Sequence, residues 1–196
     1  INYSFNLYIE QGFVLSNKTI LNDLNNFFME RLRNYMKDKD VRPDIIEASM
    51  NSYIIDNMNK VYKKAITLNK LINKETGRSV VSCYKRAANI LDQEQKNLDF
   101  EISDGVDPGL FKNDYEKNLY KSINNLHKYF TNVGKDENYD LTMKNLSETK
   151  NSIFDFFDNV MVNDKEENIR KNRLKLLQIL CKTYENYINF SKIEIL

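Results

Sequence analysis

The chain has 196 residues, with 29 Lys and Arg against 28 Asp and Glu, a formal net charge of +1, one histidine and two cysteines. That length can bury a core without staples and predicts one domain over residues 1–196. The near-neutral balance excludes nucleic-acid binding through an overall basic field, and one histidine is too few for zinc sites of the usual Cys/His type.

Only two prolines and five glycines punctuate the chain, and no alternating apolar run stands beside a hairpin turn pair, so helices are expected throughout. A short helix is predicted over 3–11. A second, over 18–38, carries Leu21, Leu24, Phe28, Leu32 and Tyr35 as its inward stripe. Pro43 and Asp44 open a short third helix that buries Ile45, Ile46, Ser49 and Met50. Met58, Val61, Ala65, Leu68 and Ile72 form the next stripe, closed by the polar run that ends in Gly77. Val80, Tyr84, Ala87, Ala88 and Leu91 mark the fifth helix. A polar stretch over 92–107, closed by Pro108-Gly109, reads as a loop. Phe111, Tyr115, Leu119, Ile123, Leu126 and Phe130 build a long helix stopping near Gly134. Segments 139–146 and 147–161 follow. A last helix over 166–190 turns Ile169, Leu176, Leu177, Leu180, Tyr184 and Tyr187 inward. The fold class is all-α, an irregular bundle of about eight or nine helices.

Little in this pattern suggests catalysis. His127 sits at a helix edge, no carboxylate pairs with another in an apolar setting, and no glycine-rich phosphate loop occurs. Cys83 and Cys181 fall in helical patterns without a CxxC spacing, as buried reduced thiols in a cytoplasmic protein do. No apolar run approaches the roughly 20 residues that span a bilayer, and no signal peptide is visible. The chain starts at Ile1 in mid-pattern, which predicts a piece of a longer protein.

Two basic clusters stand out: Lys85-Arg86, three residues before Asn89, and Arg170-Lys171-Asn172-Arg173. Cations at a helix start lack a dipole rationale, since that end already favours anions. With free backbone N–H groups they make a corner that attracts phosphate, and the amides of Asn89 and Asn172 can read base edges. The same spacing also suits a solvated basic face partnered by Glu166 and Glu167. Among the aromatics, Phe100, Tyr139 and Phe190 lie off the clearest stripes, where base stacking and loop packing explain them equally well.

Phe156-Phe157-Asp158-Asn159-Val160-Met161-Val162, followed by Arg170-Lys171-Asn172-Arg173-Leu174-Lys175-Leu176-Leu177, resembles the C-terminal end of the β subunit of the two-subunit bacterial glycyl-tRNA synthetases. Three further segments resemble that family in the same order: Tyr8 to Leu15, Phe28 through Ala48, and Lys85-Arg86-Ala87-Ala88-Asn89-Ile90-Leu91. The chain departs from the family in lacking a proline in the first segment. It also has Asp92-Gln93-Glu94 where a second basic residue usually follows.

The resemblance implies a DALR-type, all-α anticodon-binding domain, the C-terminal part of a longer β subunit with its first helix truncated. Its partner would be the anticodon loop of glycine tRNA, not DNA and not a membrane. A separate α subunit would glycylate the tRNA with ATP and Mg²⁺, so this part of the chain would need no cofactor, metal or catalytic residue of its own. The matched residues imply tRNA contacts by Lys85, Arg86, Asn89, Arg170, Asn172 and Arg173. Asn89 and Arg173 equally suit a buried role, bonding backbone carbonyls across helices. The alternative is a helical scaffold that docks other parts of a synthetase without reading bases.

Overall fold

Local capping chemistry sets where the helices begin. The Asn57 side chain accepts from the Lys60 N–H and the Asn138 side chain from the Leu141 N–H, each satisfying a donor that a helix start leaves orphaned. Pro43 occupies the first turn of its helix, where a missing N–H costs nothing. Before the sixth helix, the Glu116 N–H donates to Asn113 Oδ1, and Glu116 Oε2 accepts from the Asn113 N–H in return. This reciprocal box fixes the helix start at Asp114, beyond the Leu110 of the sequence expectation.

The computed structural model describes residues 2–12, 20–50, 57–95, 105–132 and 138–195. Among them are α1 (Asn2–Glu10), α2 (Ile20–Lys37), α3 (Pro43–Ser49), α4 (Met58–Ile72), α5 (Glu75–Gln95), α6 (Asp114–Asn132), α7 (Tyr139–Asn159) and α8 (Glu167–Glu185), with 3-10 turns at Pro108–Leu110 and Phe190–Lys192. The all-α expectation holds: the described residues form eight α-helices and no strand. None of these helices is long and apolar enough to cross a membrane. The expected helix start at 18, the stop near Gly134, Phe100 and most of the 92–107 stretch lie outside the described residues.

Four sequence expectations are corrected. Segments 139–146 and 147–161 are one helix, α7, because Ser147 and Thr149 return their hydroxyls to the carbonyls of Met143 and Leu146 and leave the helix unbroken. α8 ends at Glu185, and Tyr187 is buried from the turn beyond it. Leu24, Phe28 and Tyr35 are exposed, and α2 buries Leu32 and Met36. α4 ends at Ile72, where the run 73–77 begins as expected, but the last three residues of that run, through Gly77, already form the first turn of α5.

α5, α7 and α8 surround the centre of the core, where the Tyr84, Tyr184 and Phe190 rings meet at centroid distances of 5.1–6.3 Å. Phe190 is therefore core and unavailable for stacking on RNA. Buried phenols need partners: Tyr184 meets the Thr149 hydroxyl and Tyr84 donates to Glu185. The segment after α8 folds back on α3 and α4. The Asn189 N–H donates to the Ala48 carbonyl, Lys64 Nζ to the Tyr187 carbonyl, Arg42 Nη2 to the Glu194 carbonyl, and the Glu194 N–H to Asp44 Oδ2.

Two of these features are open to direct test. A Cβ on Gly77 would overlap the Leu71 carbonyl oxygen and stand 2.9 Å from the Ile72 nitrogen, both backbone atoms. Gly77→Ala should therefore lower the unfolding free energy by about 1–3 kcal/mol in urea denaturation. Burial pushes the Asp44 carboxyl up, but hydrogen bonds from Arg42 and the Glu194 N–H outweigh it and hold the pKa below its usual value. A depressed folded-state pKa contributes stability that is present at neutral pH and lost as pH falls below about 4. Asp44→Asn should remove that part of the acid dependence of stability, read as thermal midpoints between neutral pH and pH 3.

Candidate nucleic-acid interface

Arg173 is 5% exposed and its partner Glu116 is fully buried. The Arg173 Nε donates to Glu116 Oε1 at 2.7 Å, and its Nη1 donates to the Met161 carbonyl at 2.8 Å and to Asp164 Oδ2 at 2.7 Å. The second Glu116 oxygen accepts from the N–H groups of Lys112 and Asn113. Asp164 is held below the usual carboxylate range, first by the Glu166 N–H and then by Arg173. One guanidinium thus joins the starts of α6 and α8 to the α7–α8 loop.

Asn172 is bonded just as fully. Its Oδ1 accepts from the Asp107 N–H at 2.8 Å and its Nδ2 donates to the Asp107 carbonyl at 2.9 Å, so both ends of the amide grip one loop residue. Asp107 in turn caps the turn at Pro108–Leu110 through the Gly109 N–H. The sequence expectation that Asn172 and Arg173 face RNA meets a physical obstacle: both are buried and their polar atoms already serve the fold.

The other predicted residues are more open. Arg86 and Asn89 are exposed, and Lys85 and Arg170 are half-buried. The Arg86 guanidinium lies 4.4 Å over the ring of Phe157, on α7. Burial pushes the Cys83 thiol up to about 11, with Lys150 and Arg86 acting in the opposite direction, so both cations lie within electrostatic reach of one sulfur. Lys150, a residue the motifs did not mark, also reaches the partly exposed Phe154 ring, 5.8 Å from its centroid. Its only sequence signal is the four-residue spacing to Phe154. Cys181 is likewise pushed up, to about 12, by burial, and both cysteines are free thiols. His127 is exposed.

Arg170 stands apart from this patch. Tyr84 of α5 stacks on Tyr184 and bonds Glu185, while Asp92 acts on Cys181, so α5 and α8 run antiparallel. Arg86 therefore projects beside the last turns of α8 and Arg170 from its first, roughly 18 Å apart along the axis at about 1.5 Å per residue. The Arg170 Nε is buried without a hydrogen-bond partner among the described residues. The structure does not gather the two basic clusters into one corner.

The sequence of this helical bundle matches known proteins. The family profile described as "DALR anticodon binding domain" matches residues 80–196, more than half of the chain. The chain belongs to the DALR anticodon-binding family. Over nearly its whole length it is also homologous to glycine–tRNA ligase β subunits. It is 29% identical to that of Rickettsia prowazekii (strain Madrid E) over 193 residues, 98% of this chain and 27% of that protein. It is 31% identical to that of Rickettsia africae (strain ESF-5) over 193 residues, with the same shares. For Rickettsia bellii (strain OSU 85-389) the figures are 31% over 169 residues, 86% of this chain and 23% of the relative. The chain spans about a quarter of the length of these relatives. The DALR match starts at Val80, inside α5, so it takes in Lys85, Arg86, Asn89, Lys150 and the whole Glu116–Arg173 network, and leaves α1 to α4 outside.

Removing one member of the buried pair strands the other. Glu116→Leu and Arg173→Leu should each lower the unfolding free energy by about 3–5 kcal/mol, and the double substitution should cost less than the sum of the two. Urea titration of the three variants checks this.

Proposed function

We propose that this DALR region binds the anticodon loop of glycine tRNA as part of a cytoplasmic glycine–tRNA ligase β subunit, while a separate α subunit carries out the ATP-dependent glycylation. The observation that carries the reading is the juxtaposition of Arg86 and Lys150 with the Phe157 and Phe154 rings across α5 and α7, inside the segment that matches the family. Cations fixed on rings suit unpaired nucleotides, whose phosphates need positive charge, and the exposed Phe154 ring, unlike the buried Phe157, offers a base a planar partner. Lys85 and Arg86 would hold phosphate and Asn89, exposed on the same helix, would read a base edge. Arg170 would serve a more distant phosphate. Asn172 and Arg173 act indirectly, fixing the loop and helix starts around them. Among the described residues no three His, Cys, Asp or Glu side chains are grouped to hold a metal ion, and none is assigned to ATP or Mg²⁺.

One observation favours the docking alternative: α1 leaves Tyr3, Tyr8 and Ile9 more than half exposed. Binding experiments separate the two readings. Against a glycine-tRNA anticodon stem-loop, Arg86→Gln with Lys150→Gln should weaken binding about tenfold or more at low salt, and the loss should shrink as salt rises. A stem-loop with both anticodon cytosines replaced should bind more weakly by about 1–3 kcal/mol per base. Equal binding of both stem-loops, unchanged in the double variant, would leave docking as the function.

A further inference from the structure

α2 carries a second surface that the DALR match does not reach. Its buried side is short, with only Leu32 and Met36 enclosed among its described side chains. On another face, residues four apart alternate in kind: Phe27, Arg31, Tyr35 and, just past the helix end, Lys39. Phe27 is 47% and Tyr35 50% exposed, although both are large rings on a helix that has a core to pack against. The Arg31 guanidinium lies 4.3 Å over the Phe27 ring, and Lys39 Nζ stands 5.7 Å from the Tyr35 ring centre. Tyr35 is also braced by Tyr62 of α4 at 5.4 Å, and Phe27 by the edge of Phe28 at 5.5 Å.

Four residues of helix rise about 6 Å, so the two rings lie about 12 Å apart with a cation between them. We propose that this row is a binding surface for single-stranded RNA, in which unpaired bases stack on Phe27, Arg31 and Tyr35 while Arg31 and Lys39 meet phosphates. About 12 Å corresponds to three or four steps of a stacked strand at about 3.4 Å each. Every base has a π-face, so such a row takes single strands without reading their sequence. A protein partner fits less well, because burying this row would desolvate the cation set between the rings, and among the described residues no ion pair holds Arg31 or Lys39 to offset that cost. Asp23 stands one step before the row and Asp38 near its end, which keeps the local charge low. Stacking, not charge, therefore supplies most of the affinity.

The test uses the whole chain and a short oligouridylate, which lacks an anticodon stem. Phe27→Leu with Tyr35→Leu keeps apolar side chains but removes both π-faces, and, because about half of each ring is exposed, should leave the chain folded, with a cooperative thermal transition well above the binding temperature. The expected result is at least tenfold weaker oligouridylate binding, with binding by the unsubstituted chain falling only gently with salt, at a log–log slope of about −1.4 for two phosphate contacts. Photo-crosslinks from thiouridine-containing probe should map to α2. The Phe27→Leu, Tyr35→Leu variant should still prefer the glycine anticodon stem-loop over the one with both cytosines replaced, so failure of the anticodon reading and failure of this one are distinguishable. Binding within twofold of the unsubstituted chain, or crosslinks confined to α5 and α7, would overturn the proposal. So would a double variant that loses self-association in sedimentation while still binding the probe, which would mark the row as a protein contact.

Discussion

The buried pair between Glu116 and Arg173 is the constraint on which the DALR region depends. Taking two charges out of water is costly, and the cost is offset only when the remaining donors and acceptors are also satisfied. Here they are. One Glu116 oxygen takes the guanidinium and the other takes two backbone N–H groups, while Arg173 spends its second nitrogen on a carbonyl and a second carboxylate. The start of α6, the α7–α8 loop and the first turns of α8 are located by the same few atoms. Asn172, the neighbour of Arg173, then locates the loop at Asp107. A run of basic and amide residues at a helix start is here a fastening that leaves the surface nearby free for other work.

Because the chain is almost neutral, any attraction it has for a polyanion must be local. Arg86 shows how one side chain becomes useful although no carboxylate partners it among the described residues. Resting its guanidinium on the nearly buried Phe157 ring limits its freedom before any ligand arrives, so less entropy remains to be lost on binding. The α2 row uses the same device on a more open helix, with the ring exposed and the cation lying over it. The two surfaces therefore differ in whether the ring beneath the cation is buried, as Phe157 is, or exposed, as Phe27 is.

Much of the fold was legible because apolar periodicity is a local property. Most of the stripes of α4, α5 and α6 and the inward residues of α8 could be read from spacing alone, although Met58 and Tyr115 are exposed and Phe111 precedes α6, and the family motifs placed the anticodon-binding domain. What escaped was set by contacts remote in sequence. The run closed by Gly77 looks like a loop until its last residues are seen to open α5, with Gly77 pressed against the end of α4. Ser147 and Thr149 look like a break until their hydroxyls are seen to bond within the helix. Arg173 and a phosphate-binding arginine have the same local sequence, and it is chiefly Glu116, 57 residues away, that distinguishes them. Lys150 was missed for the converse reason, since nothing near it in the chain announces Arg86. The α2 stripe failed because a regular period identifies a helix without saying which face is covered.

The return of residues 187–194 onto α3 and α4 has a consequence for the order of events during synthesis. Arg42 and Asp44 grip the backbone of Glu194 across a separation of about 150 residues. A contact that distant closes a very long loop, and its entropic cost is repaid only after the intervening helices have condensed. On the ribosome, α3 and α4 emerge long before the segment that clasps them, at roughly 5–20 residues per second. For that interval the surfaces of Ala48 and Asp44 lack their eventual cover. A chaperone that shields α3 and α4 would have to release them as the turn at Phe190–Lys192 appears.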